Sequence, residues 1–316
     1  MTVHKSVLLK ETVEALNLKN GSIAVDATLG GGGHSLEILK RISPDGKLIA
    51  FDQDERAVEA FRRRVSEDAE LKKNEKGIFL INENFEKIKD SLEFLKIEKV
   101  DAITADLGIS SDQLEDAEIG ISFRIDAPLD MRLDRKRELT AREVINGYSE
   151  AELARVFREF GDEKYAGRIA RRICEARKEK GIERTLELVS IIESAVPAIY
   201  KRGKIHPATK VFQALRIEVN NELEVLKKII ADGIGLLSPK GRLAIITFHS
   251  GEDRIVKNLF REYARGCVCP PELPICRCGE KEIVKIITKK ALEATEEEIL
   301  DNPRSRSAKL RVVEKI

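Results

Sequence analysis

Two hydrophobic rhythms alternate through the first hundred residues. SIAVDATL (22–29) is a short β-branched run ending in glycines, and KLIAFDQD (47–54), GIFLINEN (77–84) and VDAITADLG (100–108) share its character, so all four are predicted strands. Helical segments separate them. Residues 34–43 form the first, and ERAVEAFRRRVSEDAE places Ala57, Val58, Phe61 and Val65 on one face of the next. Strands that alternate with helices need crossover connections, hence a parallel sheet, and right-handed crossovers give a doubly wound α/β layer. From 113 to 205 the pattern is helical, without a convincing strand. Strand character resumes at GRLAIITFHS (241–250), after a long predicted helix near 208–231, and returns in EIVKIIT (282–288) and KLRVVEKI (309–316). The late strands are too few for a sheet of their own. The simplest account is one α/β domain, 1–112 with 206–316, interrupted by an all-helical insertion at 113–205; two consecutive domains are the alternative.

Composition narrows the class. The chain has 316 residues, 42% of them hydrophobic, which supports a packed core rather than disorder. Its charged residues nearly cancel to a net +1, so a nucleic-acid partner would have to be met by local basic patches. The first twenty residues carry charges throughout and show no signal peptide, and no apolar stretch is long enough to span a bilayer. Five cysteines without an export signal fit a reducing cytoplasm better than a disulfide framework.

Candidate chemistry gathers at the carboxyl ends of the predicted strands, where ligands bind in such sheets. Gly30 to Gly33 turn the first strand into a helix, and glycines let a backbone approach a ligand closely; a merely flexible loop is the plain alternative. Asp52 ends the second strand, where an acid can accept both ribose hydroxyls of a nucleoside. The run GGGGH is not G-x-G-x-x-G, and no pyrophosphate-binding arrangement is evident. A phosphate-free nucleoside such as S-adenosylmethionine suits the loop, backed by Asp26. Phe85 follows the third strand, where it could stack on adenine or serve as core. Asp106 ends the fourth in ADLGISSDQL, where a carboxylate would lie beside a transferred methyl. Leu107 and Gly108 stand where amine methylases often carry prolines, so spacing alone does not assign amine chemistry.

DATLGGGGHS, ADLGISSDQL, FRIDAPLDMRLD, HPATKVFQALRIEVNNELE, ITFHSGEDRIVK and NPRSRSAKLR together resemble the bacterial 16S ribosomal RNA (cytosine(N4))-methyltransferase family, also called RsmH or MraW. The blocks run in the family's order and end at residue 311. The resemblance implies a Rossmann-like class I methyltransferase fold with an inserted helical domain, S-adenosylmethionine as donor, and a cytidine of the decoding centre, within the small ribosomal subunit, as acceptor. Carried over, the donor-site residues are Gly32, Gly33, His34, Asp52, Phe85, Asp106 and Gln113. One departure is Gly251 in HSGEDR, where the family usually has leucine.

A cytosine amine is a weak nucleophile because its lone pair is delocalised. It must be held in line with the methyl and lose a proton, and Asp106 is the leading candidate to hold it. Asp130 and Arg132 in PLDMRLD could line a base pocket or form an internal ion-pair latch. His249 ends a strand at the ligand edge, where a substrate contact and a structural hydrogen bond are both open. His206 orders the loop back from the insertion, and His4 lies in a segment that could fold over the donor. Arg304, Arg306, Lys309 and Arg311, with Ser305 and Ser307, form a basic run suited to RNA phosphates; Arg168, Arg171 and Arg172 form a second basic face. Cys267, Cys269, Cys276 and Cys278 could hold a structural zinc ion or stay reduced in a surface loop. A nicotinamide-dependent oxidoreductase and a non-catalytic ribosome-assembly factor are the competing classes. The oligomeric state is left open.

Overall fold

The computed structural model describes residues 5–109, 113, 114, 116, 118–203, 205–266, 269, 278 and 281–316. They divide into two compact units, 1–108 with 224–316 and 109–223. In chain order the first unit begins with α1 (Leu9–Ala15), β1 (Ile23–Asp26), α2 (Gly33–Ile42), β2 (Lys47–Phe51), α3 (Glu55–Glu67), α4 (Ala69–Lys73), β3 (Ile78–Ile81), α5 (Ile88–Phe94) and β4 (Val100–Asp106). The second unit holds α6 (Ala141–Gly147), α7 (Glu150–Glu159), α8 (Ala166–Ala176), α9 (Thr185–Ala195), α10 (Ala198–Lys201) and α11 (Pro207–Asn220). The first unit resumes with α12 (Glu222–Leu236), β5 (Leu237–Thr247), α13 (Ser250–Tyr263), β6 (Val284–Ile286), β7 (Leu292–Glu293), α14 (Glu296–Asp301) and β8 (Lys309–Lys315).

The sheet of the first unit runs β3-β2-β1-β4-β5-β8-β6, with β7 paired to β8. The strands from β3 to β5 pair in parallel, as the alternating pattern predicts. The far edge differs from the expectation of a parallel sheet: β8 runs antiparallel to β5, and β6 and β7 run antiparallel to β8. Successive residues point to opposite faces, and both faces are covered. Ala24, Leu48, Ala50, Ala102 and Ile246 join α1 to α3 through Val13, Ile38, Val58 and Phe61. Val25, Ile49, Ile103, Leu243 and Ile245 join α5, α12 and α13 through Leu92, Leu226, Ile230 and Phe260. Burial on both faces explains why these strands read as continuous apolar runs. Helix starts follow local chemistry, as where the Asp54 side chain accepts from Arg56 N–H to open α3.

The second unit has its own core, in which Met131, Val144, Leu153, Phe157, Ile169, Ile173, Leu188 and Leu215 are fully buried. Capping boxes at Thr140/Glu143 and Ser149/Glu152 start α6 and α7. The apolar face of α11, with Val211, Phe212 and Leu215, belongs to this core. The unit therefore extends to 223 rather than ending at 205. The helix predicted near 208–231 is two helices, because Asn221 adopts left-handed geometry with φ 52° and ends α11.

Asn220 holds a strained turn in this core. Its Nδ2 donates to the Met131 and Arg216 carbonyls, each at 2.9 Å, and its Oδ1 accepts from Leu133 N–H at 2.9 Å. Met131 is fully buried at φ 62°. Asn220→Leu would leave Leu133 N–H and the Met131 carbonyl unpaired, at about 1–3 kcal/mol each. Urea unfolding of this variant is expected to show a loss of roughly 2–5 kcal/mol; a loss below about 1 kcal/mol would contradict the keystone role. Among the described residues no helix is long and apolar enough to cross a membrane.

Candidate active site

The chain leaves β1 for β2 and β3 on one side and returns through β4 and β5 on the other. The topological switch point therefore lies between β1 and β4. Their carboxyl ends are tied together. Asp26, 1% exposed, accepts from Ser35 Oγ at 2.7 Å and from Thr28 N–H at 3.1 Å. The Asp106 N–H donates to Thr28 Oγ1 at 2.6 Å. Asp106 thus ends β4, half-buried, near the buried carboxylate of Asp26. Its Oδ1 has no hydrogen-bond partner among the described residues, and its Oδ2 lies 3.8 Å from His34 Nδ1. Burial pushes the Asp106 carboxyl well above the usual range, and the charges of Asp26 and Glu252 push it further.

The glycine loop joins β1 to α2 in left-handed geometry, with φ 49° at Gly30 and 75° at Gly32. Gly30 N–H donates to Asp52 Oδ2 at 2.8 Å, and Asp54 N–H donates to Asp52 Oδ1 at 2.9 Å. Burial nevertheless pushes Asp52 up to about 6, the two amide bonds opposing it. Two of the glycines are closely approached by the protein itself, Gly32 by a buried ring and Gly33 by the end of a serine side chain. A Cβ on Gly32 would lie 2.4 Å from the Phe61 ring, and one on Gly33 2.0 Å from Ser6 Oγ. His34 sits in the first turn of α2, buried, with Nε2 3.2 Å from the Val7 carbonyl oxygen. Phe85 follows β3, half-buried against the core beneath α5.

The remaining edge is α13. His249 is its N-cap: Nδ1 accepts from Glu252 N–H at 3.4 Å. Glu252, buried, accepts in return from Phe248 and His249 N–H at 2.9 and 3.3 Å. His249 Nε2 lies 3.3 Å from Glu252 Oε1. The structural hydrogen bond left open in the sequence is therefore present, and a substrate contact by His249 would act from within this cap. A Cβ on Gly251 would meet the His249 ring at 3.1 Å, so the departure to glycine relaxes the cap. Glu252 is the site residue that the sequence reading did not single out; its signal is the H-S-G-E spacing of a capping box.

The basic run is only partly available. Arg304 and Arg306 are exposed on the turn Pro303–Ser307. Ser305 is buried and donates to the Asn302 carbonyl at 2.8 Å, which corrects its reading as a phosphate donor. Arg311 forms a two-pronged pair with Asp253 at 2.6 and 3.1 Å, so it braces α13 against β8 instead of facing a phosphate.

Gln113, Asp130 and Arg132 belong to the second unit. Arg132 Nε and Nη2 donate to the two Asp130 oxygens, each at 2.8 Å, and Arg132 Nη1 donates to the Arg137 carbonyl at 2.6 Å. The pair is a latch within this unit, and it lines a shallow pocket with Glu118, Ile119 and Arg135. Arg171 and Arg172 lie 3.5 and 3.3 Å from Glu150 and Glu175, while Arg168 lies over the Tyr165 ring. His4, Cys267 and Cys276 lie outside the described residues; Cys269 and Cys278 are described, but the four-cysteine candidate is not as a set.

Comparison with known proteins places the chain in a family. A profile of the MraW methylase family matches residues 1–316. Ribosomal RNA small subunit methyltransferase H of Clostridium botulinum (strain Loch Maree / Type A3) is 51% identical over 313 residues, covering 99% of each chain. The protein of the same name from Finegoldia magna is 49% identical over 314 residues, covering 99% of this chain and 98% of the relative. Of the solved structures, an rRNA methylase from Streptococcus thermophilus gives a TM-score of 0.43 at 13% identity, over 98% of this chain and 93% of that one. Such a remote likeness adds nothing to the family match. Matched from end to end, the chain belongs to the MraW methylase family.

Proposed function

We propose that this methylase carries the methyl group of S-adenosylmethionine to the N4 amine of a cytidine in the decoding centre of 16S ribosomal RNA, within the small ribosomal subunit. The observation that carries the reading is Asp106: a half-buried carboxylate at the switch point, whose Oδ1 is out of solvent and unpartnered among the described residues. The curated relatives' name supports small-subunit ribosomal RNA as the acceptor. That substrate would place the enzyme in the cytoplasm.

The donor cradle fits a phosphate-free nucleoside. Asp52 uses one lone pair of each oxygen on backbone amides, which leaves others for ribose hydroxyls. Gly32, Gly33 and His34 shape the loop, and Phe85 offers a half-buried ring for adenine. When bound, the donor supplies an electrophilic methyl on a sulfonium sulfur. The protein's own work is then to hold the amine and take its proton. Asp106 Oδ1 accepts an amine N–H, which orients the nitrogen and increases its electron density; its raised proton affinity equips it to take that proton during transfer. A base in structured RNA must be splayed out to reach such a site. His249 is proposed to meet that base, and Arg304 and Arg306 the flanking phosphates; Asp130 and Arg132, paired with each other, are proposed as an RNA contact of the second unit.

Donor binding should depend on pH through Asp52. Ribose hydroxyls donate to the ionised carboxylate, so binding favours the charged form. As pH falls through about 6, Asp52 takes a proton and affinity drops. In the free chain, Asp52 contributes most to stability below its ordinary value of 3.8, and that contribution is lost as pH rises through about 6. Titration calorimetry with S-adenosylmethionine is expected to show about tenfold weaker binding one pH unit below the Asp52 value, a dependence absent in Asp52→Asn. An equal pH dependence in the variant would remove Asp52 from the donor site.

Replacing both Arg304 and Arg306 with alanine is expected to weaken RNA binding and lower the slope of log K against log salt by about one to two units. An unchanged slope would exclude them as phosphate contacts. The reading itself is tested with labelled donor and separated ribosomal subunits. Label should enter small-subunit RNA; label in large-subunit RNA instead, or in neither, would overturn it.

A further inference from the structure

Two tyrosines and two cations meet where α8 begins. Tyr165, the N-cap of α8, and Tyr200 in α10 pack edge to face, with ring centroids 4.8 Å apart and 68° between their planes. Both are half-buried, and one acid fixes both. Glu163, 1% exposed, accepts from Tyr165 N–H at 2.8 Å through Oε1 and from the Tyr200 hydroxyl at 2.7 Å through Oε2. That carboxylate is spent on two neutral donors, so it holds the rings and pairs with no cation. Lys164 Nζ lies 5.0 Å from both ring centroids, and the Arg168 guanidinium carbon lies 5.8 Å from that of Tyr165. Attraction to the ring faces positions these two charges without neutralising them.

Lys201 and Arg202 follow Tyr200 in the chain. All four basic side chains are exposed, and among the described residues none of them forms an ion pair. Other arginines of the same unit do: Arg155 pairs with Glu159, Arg171 with Glu150 and Arg172 with Glu175. Four like charges gathered without a pairing acid repel each other, and a bound polyanion relieves that repulsion. Ile199, 81% exposed, stands beside Tyr200 in α10. An acidic protein would be met by the charge alone. Rings held rigid between cations also suit a nucleic-acid strand, whose phosphates take the charges while unpaired bases and sugars lie against aromatic edges and faces.

We propose that Lys164, Arg168, Lys201 and Arg202, grouped with the Tyr165–Tyr200 pair, form a docking site for the sugar–phosphate backbone of small-subunit ribosomal RNA. The site belongs wholly to the second unit and shares no residue with the proposed donor and cytidine contacts. It rests on the ribosomal RNA reading above.

The test is binding of the full chain to small ribosomal subunits over a range of salt, at fixed magnesium. Lys164→Gln combined with Arg168→Gln should weaken binding and lower the slope of log K against log salt by about two units. Arg171→Gln combined with Arg172→Gln removes the same charge from side chains already paired with acids and should change the slope less. Calorimetry with S-adenosylmethionine should give the wild-type affinity for both variants. In addition, p-azidophenylalanine in place of Ile199 should cross-link to 16S RNA under ultraviolet light. An unchanged slope in the first variant, an equal drop in the second, or a cross-link to ribosomal protein alone or to nothing overturns the docking site while the methyl-transfer reading stands. A wild type that puts no methyl into small-subunit RNA overturns both.

Discussion

Asp106→Asn is expected to abolish nearly all methyl transfer while making the protein more stable. Asparagine keeps the shape of the side chain and the backbone bond to Thr28, but it cannot take a proton. The loss at saturating donor and RNA should be on the order of 10²–10⁴-fold, the usual contribution of a positioned proton acceptor. The stability change follows from the direction of the Asp106 shift. A carboxyl pushed up by burial and by two acidic neighbours favours the fold when protonated, and that contribution is lost as pH rises through its folded value. At neutral pH the wild type therefore bears a cost, because the unfolded chain would release a proton that the folded site favours keeping, and the amide removes that cost. Thermal melting should show a higher midpoint for the variant. Undiminished turnover with normal donor affinity would exclude Asp106 as the proton acceptor.

The second large effect is expected at Gly32. Alanine there would place a Cβ 2.4 Å from the Phe61 ring, at a backbone φ of 75° that only glycine adopts without strain. The left-handed backbone costs about 1–2 kcal/mol and overpacking against a buried ring about 1–3 kcal/mol. Gly32→Ala should therefore lower stability by roughly 2–5 kcal/mol and weaken S-adenosylmethionine binding by more than about tenfold, since the loop that carries Gly30 and His34 must shift. Adding Phe61→Leu frees space on α3 and should recover part of the stability without relieving the backbone strain. Gly30 is the control. A Cβ there meets nothing closer than the Thr28 carbonyl at 3.9 Å, so its replacement should cost only the strain. If Gly32→Ala bound donor normally, the loop would be more tolerant than its contacts require.

These two positions also show what can be read from the chain alone. Asp106 was legible because it closes an apolar run, and carboxyl ends of parallel strands collect ligands whatever the details of packing. Gly32 was legible as part of a glycine run, but not for the right reason: the clash with Phe61 arises between α2 and α3, and no local pattern announces it. The first four strands stood out because burial on both faces makes them continuously apolar. The antiparallel course of β8 depends on which edge a late strand reaches, which its composition does not encode. The break between α11 and α12 was hidden because apolar spacing continues through both helices, and Asn221 is the lone local sign. The basic run misled most. Charge was visible in Arg311 and a hydroxyl in Ser305, yet Asp253 and the Asn302 carbonyl claim them through contacts made only on folding.

The central claim is a reaction at one atom of one nucleotide. The direct measurement is nucleoside mass spectrometry, with position mapping, of small ribosomal subunits from cells lacking this protein, before and after incubation with the purified chain and S-adenosylmethionine. The account predicts N4-methylcytidine at a single decoding-centre position, absent before incubation and absent with Asp106→Asn. Methylation of another base, of another atom of cytidine, or of no RNA at all by a chain that still binds the donor would contradict it.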